Sequence, residues 1–239
     1  MTLKLDSLTI YNQQLDTSKP LLTLNSEIKS GEIVSVMGAS GSGKSTLLAA
    51  IAGHLMPPFS KTGRIYLNGN CIDELAPYER KIGLMFQDPF LFEHMSVAEN
   101  IGFALAQNLQ YATRSKHEKR RHIVQMLASV GLDEMANRPV QSLSGGQQSR
   151  VALLRTLAAA PKAILLDEPF NKLDPETRSH MRAWVFNKLK EGAFANVSIG
   201  TLQKQVQITS LTKNEITLKT EWVIIHHKIW LIIWLSVHY

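Results

Sequence analysis

The sequence predicts an α/β fold: a mostly parallel sheet with an α-helical subdomain inserted in its middle. Three observations lead there. Apolar, β-branched runs such as "GEIVSVMG" and "KAILLDEP" alternate with segments of helical composition, the order expected of strands joined by crossover helices. From about Asp88 to Ser142 the pattern becomes helical, which reads as an insertion. A glycine-rich stretch, "GASGSGKST", stands between a strand and a helix, where an α/β sheet places phosphate sites.

Each element has its own signal. "LKLDSLTIY" alternates and suits a strand. "STLLAAIAGHLM", after Lys44, has helical composition and is stopped by Pro57 and Pro58. "GRIYLNG" is a short strand ending in a turn. "SVAENIGFALAQNL" and "HIVQMLASVGL" are the clearest helices of the insertion. "GGQQSRVALLRTLAAAP" is a helix closed by Pro161, and "KAILLDEP" is an apolar strand running into acid. In "DPETRSHMRAWVFNKLK", Asp174 suits an N-cap and Pro175 the first turn of a helix.

Composition narrows the class. The chain has 239 residues, 44% of them hydrophobic and 19% charged, as in a globular protein with a sizeable core. One cysteine, Cys71, rules out an internal disulfide and suits a reducing cytosol. The start, "MTLKLDSLTIYN", has no apolar run of the kind a signal peptide needs. Residues 1 to 190 contain no apolar run long enough to cross a bilayer. The formal charge is +6, and its densest basic stretch is "RSKHEKRRH", Arg114 to His122. No aromatics interleave with these charges, so the stretch reads as a solvated helix face and no nucleic-acid partner is expected.

"GASGSGKST" matches G-x-x-x-x-G-K-[ST] through Gly38, Gly43, Lys44 and Ser45. Phosphate binding needs inward-turned N–H groups, which glycines such as Gly41 and Gly43 permit. The following helix points its positive end at the phosphates. Gly38, Ser40, Gly41, Gly43, Lys44, Ser45 and Thr46 are therefore the expected phosphate-binding residues. Lys44 would reach the β and γ phosphates, and the Ser45 hydroxyl would ligate Mg²⁺. A buried strand ending in two acids, as in "AILLDEP", is costly unless the acids have partners or work. Asp167 would hold Mg²⁺ through water, and Glu168 would orient the attacking water. Together the two motifs describe a P-loop NTPase core.

A third motif is more specific. "LSGGQ", Leu143 to Gln147, precedes a helix and then the acid-ended strand. With it the chain resembles the ATP-binding subunits of ABC transporters over residues 1 to about 190, with the helical subdomain at about 88–142. The resemblance implies a short antiparallel β part at the N-terminus. It implies that Gln87, in "GLMFQDPFLFEHMSVAENI", contacts Mg²⁺ and faces the membrane subunit. "NKLD", Asn171 to Asp174, stands where the family has a D-loop, usually S-A-L-D. Tyr11 stands where the family often stacks an aromatic on adenine, an ordinary strand tyrosine being the alternative.

The resemblance further implies ATP and Mg²⁺ as cofactors and a head-to-tail pair of nucleotide-binding subunits, read here as a homodimer. Ser144, Gly145, Gly146 and Gln147 of one subunit would then hold the γ-phosphate bound by the other. Membrane permease subunits, and through them a solute-binding protein, complete the expected assembly at the cytoplasmic face of the cell membrane. Within the family the chain is similar to stand-alone bacterial importer ATPases, and "RAWVFNKLK" resembles a group related to the thiamine and iron transporters. A soluble ABC protein of translation or repair is not expected, because there is no second cassette and no long coiled-coil insert.

The resemblance stops near Lys190. The family carries a further apolar strand ending in V-T-H-D, whose histidine would fall at position 201. Here that position is Thr201, and no histidine lies between His180 and His226. Reading one nucleotide later in each codon permits proline at 195, leucine at 197, valine at 198 and histidine at 201. Residues 191–239 are therefore expected to be out of frame from near Lys190 to Gly192, with a divergent tail or a membrane-associated tail as alternatives. On that reading the core sheet lacks a strand and its neighbours keep unpaired backbone groups. A nucleotide-binding remnant that does not hydrolyse is the alternative function.

Overall fold

A computed structural model describes residues 2–14, 19–30, 32–37, 41–191, 203–207 and 231–235. They form two compact units, one of residues 1–84, 162–167 and 189–239, the other of residues 85–161 and 168–188.

The first unit holds both sheets. β1 (Thr2–Asn12), β2 (Leu22–Lys29), β4 (Phe59–Leu67) and β5 (Asn70–Cys71) make an antiparallel sheet in the order β2-β1-β4-β5. β1 carries its core residues Leu3, Leu5, Leu8 and Ile10 at zero exposure. Its alternation skips where the register shifts between Leu5 and Leu8, so Leu8 returns to the buried face. The second sheet comprises β3 (Ile33–Met37), β6 (Ile82–Met85), β7 (Ala163–Asp167), β8 (Gln203–Gln207) and β9 (Leu231–Leu235). Their order is β6-β7-β9-β3-β8. All five residues of β7 are buried, which explains the unbroken apolar run that ends on acid.

This sheet is mixed rather than mostly parallel. β8 runs parallel to β3, but β9 runs antiparallel to both β3 and β7. The expected strand vacancy is also absent. Ile233 pairs with Val34 on one side and Leu165 on the other, so a late segment lies between β3 and β7, along all of β7 and the first two residues of β3. Backbone pairing is satisfied by a strand of either direction, which is why a segment unlike the family pattern can occupy the slot. Thr201 lies outside the described residues.

α1 (Lys44–Ala52) follows β3 and packs on β4 and β7. It stops at Gly53, whose φ of 86° is left-handed, four residues before the Pro57 expected to end it. Arg80 reinforces that end, donating from Nη1 to the carbonyls of Ala50 and Ile51.

The second unit is helical: α2 (Val97–Leu105), α3 (Leu109–Ala112), α4 (Lys116–Ala128), α5 (Gly145–Ala158) and α6 (Pro175–Glu191). α2, α4 and α5 each begin with a capping box, formed by Ser96 with Glu99, Ser115 with Glu118 and Ser144 with Gln147. α2 packs on α4 and α5. The basic residues of α4 leave only Ile123 and Leu127 buried on that helix, as a solvated face requires.

Candidate functional site

In the first unit α1 follows β3 in the chain, and two glycines stand just before the helix. Gly41 and Gly43 have φ of 79° and 86°. Gly43 is the N-cap of α1 and has no side chain to bond the first-turn N–H groups. Those amides and the positive end of the helix suit an anion. A Cβ at Gly43 would also meet the Cδ2 atoms of Leu21 and Leu22 at 3.0 Å. Gly38 and Ser40 lie outside the described residues.

Lys44 is buried, and its Nζ donates to the Ser42 Oγ at 3.4 Å. Thr46 is half-buried on the same turn. β7 brings Asp167 to this helix, because α1 packs on β7. Asp167 is 4% exposed, and the Ser45 hydroxyl and the Lys44 ammonium both act on its carboxylate. Burial pushes its carboxyl pKa up, against the opposing pulls of the Ser45 hydroxyl and the Lys44 charge. The two motifs, more than a hundred residues apart in sequence, thus meet at one helix N-terminus. Tyr11 lies in the same unit on β1, half-buried and opposite Ser60 of β4.

The remaining candidates lie in the second unit. Gln87 is exposed just after β6. The segment that follows it is held from two sides. Asn100, fully buried, accepts from the Phe92 N–H at 2.8 Å and donates to the carbonyls of Phe92 and Ser96. Arg155 donates to the carbonyls of Phe90 and Pro89 at 2.9 and 3.0 Å and lies over the Phe92 ring. Asn100 and Arg155 are positions that the motif reading does not single out. Arg155 sits inside a helix already accounted for by its apolar pattern, and a buried asparagine has no spacing signature.

At the signature, the Ser144 Oγ accepts from the Gln147 N–H at 3.3 Å, and the Gln147 side chain accepts from the Ser144 N–H at 2.9 Å. The Ser144 hydroxyl proton stays available to a phosphate oxygen. A Cβ at Gly146 would stand 3.0 Å from the Lys172 carbonyl oxygen, so the missing side chain lets this turn approach "NKLD" closely. At Gly145 the nearest atom to such a Cβ is the Lys172 Cδ at 3.6 Å. The Lys172 ammonium continues to Asp88 at 2.9 Å. Asp174 caps α6 by accepting from the Thr177 N–H at 2.9 Å, as its position before Pro175 predicts. Glu168 has a left-handed φ of 46° and accepts a hydrogen bond from the Asn171 side-chain amide.

The donors around α1 fit a hard divalent cation. Ser45 and Asp167 offer oxygen, and the buried Asp167 carboxylate has little water to offset its charge. Among the described residues no group of three or more His, Cys, Asp or Glu side chains could hold a metal ion, so phosphate and water oxygens would complete its shell.

Comparison with known proteins agrees with this layout. The family pattern described as "ABC transporter" matches residues 21–171. The ABC transporter ATP-binding protein YnjD of Escherichia coli is 41% identical over 186 residues, 78% of this chain and 83% of its own length. The sulfate/thiosulfate import ATP-binding protein CysA of Thermosynechococcus vestitus is 46% identical over 159 residues. That match covers 66% of this chain and 45% of the relative, so the chain spans about half the length of CysA. Among solved structures, the dimeric ATP-binding cassette MJ0796 with bound ADP and Pi superposes with a TM-score of 0.68 at 32% identity. That superposition covers 81% of this chain and 84% of the cassette. With its phosphate loop, acid-ended strand and signature helix in the family's order, the chain belongs to the ABC transporter family as an ATP-binding subunit.

Proposed function

We propose that this chain powers an importer-type ABC transporter by binding and hydrolysing ATP. The observation that supports this best is the packing of α1 on β7, which sets the buried Asp167 beside Ser45 and Lys44 of the phosphate loop. ATP phosphates would lie on the first-turn amides of α1, with Lys44 at the β and γ phosphates and Tyr11 against adenine. Ser45, Asp167 and Gln87 would hold Mg²⁺, which when bound neutralises charge on the phosphate oxygens. Glu168 would orient a water molecule for in-line attack on the γ-phosphorus and accept its proton. The bond to the β–γ bridging oxygen then breaks, leaving ADP and phosphate.

The signature would act in trans. Ser144, Gly145, Gly146 and Gln147 of a second copy would complete the γ-phosphate site, and Asp174 would fix the segment beside it. MJ0796, a cassette of the same family, is dimeric. Bound ATP would then join two subunits, hydrolysis would part them, and permease subunits would carry the motion across the membrane. Among the described residues no helix is long and apolar enough to cross a bilayer, which suits a chain held at the cytoplasmic face by such permeases.

Residues 1–190 form the cassette in this reading. Residues 191–239 arise from a shifted frame that replaces the histidine-bearing strand, and Thr201 stands where that histidine would be. Turnover by this chain is then slow. The test is a titration of purified chain with a fluorescent ATP analogue, with phosphate release measured in parallel. Micromolar binding lost in Lys44→Ala supports the reading, and no binding by the wild-type chain overturns it. Coding DNA across codons 185–210 decides the tail: a second open frame with histidine at 201 supports the shift, and its absence refutes it.

A further inference from the structure

Between Glu168 and α6 the chain makes a turn that is held at several points. The Asn171 N–H donates to the Glu168 carbonyl at 3.2 Å, and the Leu173 N–H to the Phe170 carbonyl at 3.2 Å. Phe170 and Leu173 are buried, at 3% and 5% exposure, and anchor the turn on both sides of Asn171 and Lys172. Arg178 clamps the same two anchors from α6, donating to the carbonyls of Phe170 at 3.2 Å and Leu173 at 2.7 Å. Lys172 ties the exposed side of the turn to Asp88. With its backbone set in this way, Asn171 turns its side-chain amide to the Glu168 carboxylate and donates to Oε2.

We propose that Asn171 is a positioning residue for Glu168. The terminal torsion of a glutamate is broad and two-fold, so an unsupported carboxylate samples many orientations. A donor on one oxygen selects one orientation and so sets the direction in which the carboxylate meets water. An amide suits this role, because it donates to a carboxylate without carrying charge and without competing for the water's proton. The bond also lies wholly within residues 168–171, in the unit made of residues 85–161 and 168–188. This inference rests on the reading of Glu168 as the group that orients the attacking water.

The test compares Asn171→Ala, Asn171→Ser and Asn171→Asp in steady-state phosphate release at saturating MgATP, with KM measured for each. Loss of one donor to a charged acceptor should lower kcat by roughly tenfold in the alanine variant, with KM for ATP unchanged. Serine, a shorter donor, should recover part of that loss. Aspartate is nearly isosteric with asparagine but sets a like charge against Glu168, and should lower kcat below the alanine variant. A filler role would reverse this order, since aspartate keeps the volume. Aspartate matching wild type, or a changed KM with unchanged kcat, overturns the proposal. A thermal-unfolding cycle reads the contact without turnover: Glu168→Gln should restore the stability that Asn171→Asp removes, and no coupling in that cycle overturns the proposal. Wild-type chain that binds ATP but releases no phosphate overturns the hydrolytic half of the proposed function and this role with it. Wild-type turnover indifferent to every Asn171 variant overturns this inference alone.

Discussion

Arg80 gives the sharpest test of how the phosphate-binding helix is held. The residue is 4% exposed, and its guanidinium spreads over four backbone carbonyls. Nη1 donates to Ala50 at 3.2 Å and Ile51 at 2.9 Å, Nη2 to Asp73 at 2.8 Å and Nε to Leu75 at 3.0 Å. Ala50 and Ile51 lie in the last turn of α1, where a cation complements the helix dipole; the Ala50 carbonyl also accepts from the Gly53 N–H at 3.3 Å. Arg80→Met keeps an unbranched apolar stem and removes every donor. The two bonds to α1 are buried, and at about 2 kcal/mol for each bond to a charged donor the loss is about 4 kcal/mol. At about 2–4 °C per kcal/mol for a chain of this size, Tm should fall by about 8–16 °C. Arg80→Lys keeps the charge but offers one point donor in place of a fork, so it should recover less than half of the loss. Calorimetry with and without MgATP reads both effects, since a loosened α1 should also weaken nucleotide stabilisation. A methionine variant within about 2 °C of wild type, or a lysine variant fully equal to it, would refute the reasoning.

Other residues give narrower tests. Asn100→Leu strands the Phe92 N–H and carbonyl that its amide now serves, and should cost about 1–3 kcal/mol while speeding hydrogen exchange across residues 88–96. Gly146→Ala forces a Cβ to within 3.0 Å of the Lys172 carbonyl and should cost about 1–3 kcal/mol in urea unfolding. Gly145→Ala, with 3.6 Å to a flexible side chain, should be neutral or stabilising by up to about 1 kcal/mol. Asp73 supplies a pH test. Burial alone would raise its carboxyl, but the Lys61 ammonium, the Ile65 N–H and the Cys71 thiol together hold it below the usual range. Its contribution is therefore present above the unfolded-state value near 4 and is lost as pH falls through the lower folded value. Asp73→Asn should flatten the acid limb of the stability curve, which acid titration followed by circular dichroism reads.

The parts legible in the sequence are those that local pattern controls. β7 reads from its unbroken apolar run because both its faces are buried, and α6 from Asp174 followed by Pro175. The phosphate loop reads because only glycines hold φ near 80° without strain. The end of α1 is harder to place because Pro57 is the louder stop, whereas Gly53 ends the helix with a left-handed cap that Arg80 completes. Arg80, Asn100 and Arg155 are silent for a common reason. Each works by bonding backbone carbonyls, and a carbonyl leaves no trace in residue type. The capping boxes do leave a trace: Ser96 with Glu99 and Ser115 with Glu118 stand at the spacing that marks a helix start, and it fixes both starts more sharply than composition does.

The tail is the case where pattern and packing part. The family pattern matches residues 21–171 and does not reach the residues after Lys190. Judged by backbone pairing, Leu231–Leu235 runs between β3 and β7, with Ile233 paired to Val34 and to Leu165 at once. A central strand position of this kind tests whether the segment supports the sheet, and proline is the right probe because it acts on the backbone alone. Ile233→Pro removes one ladder donor and leaves its buried carbonyl partner unpaired, which costs about 1–3 kcal/mol before the ring's own clash is added. Tm should therefore fall by about 4–8 °C, taking about 2 kcal/mol as the net loss. If Ile233→Pro melts with wild type, β9 contributes nothing and the sheet stands without it. If it melts early, a segment beyond the matched residues 21–171 helps keep the cassette's sheet folded.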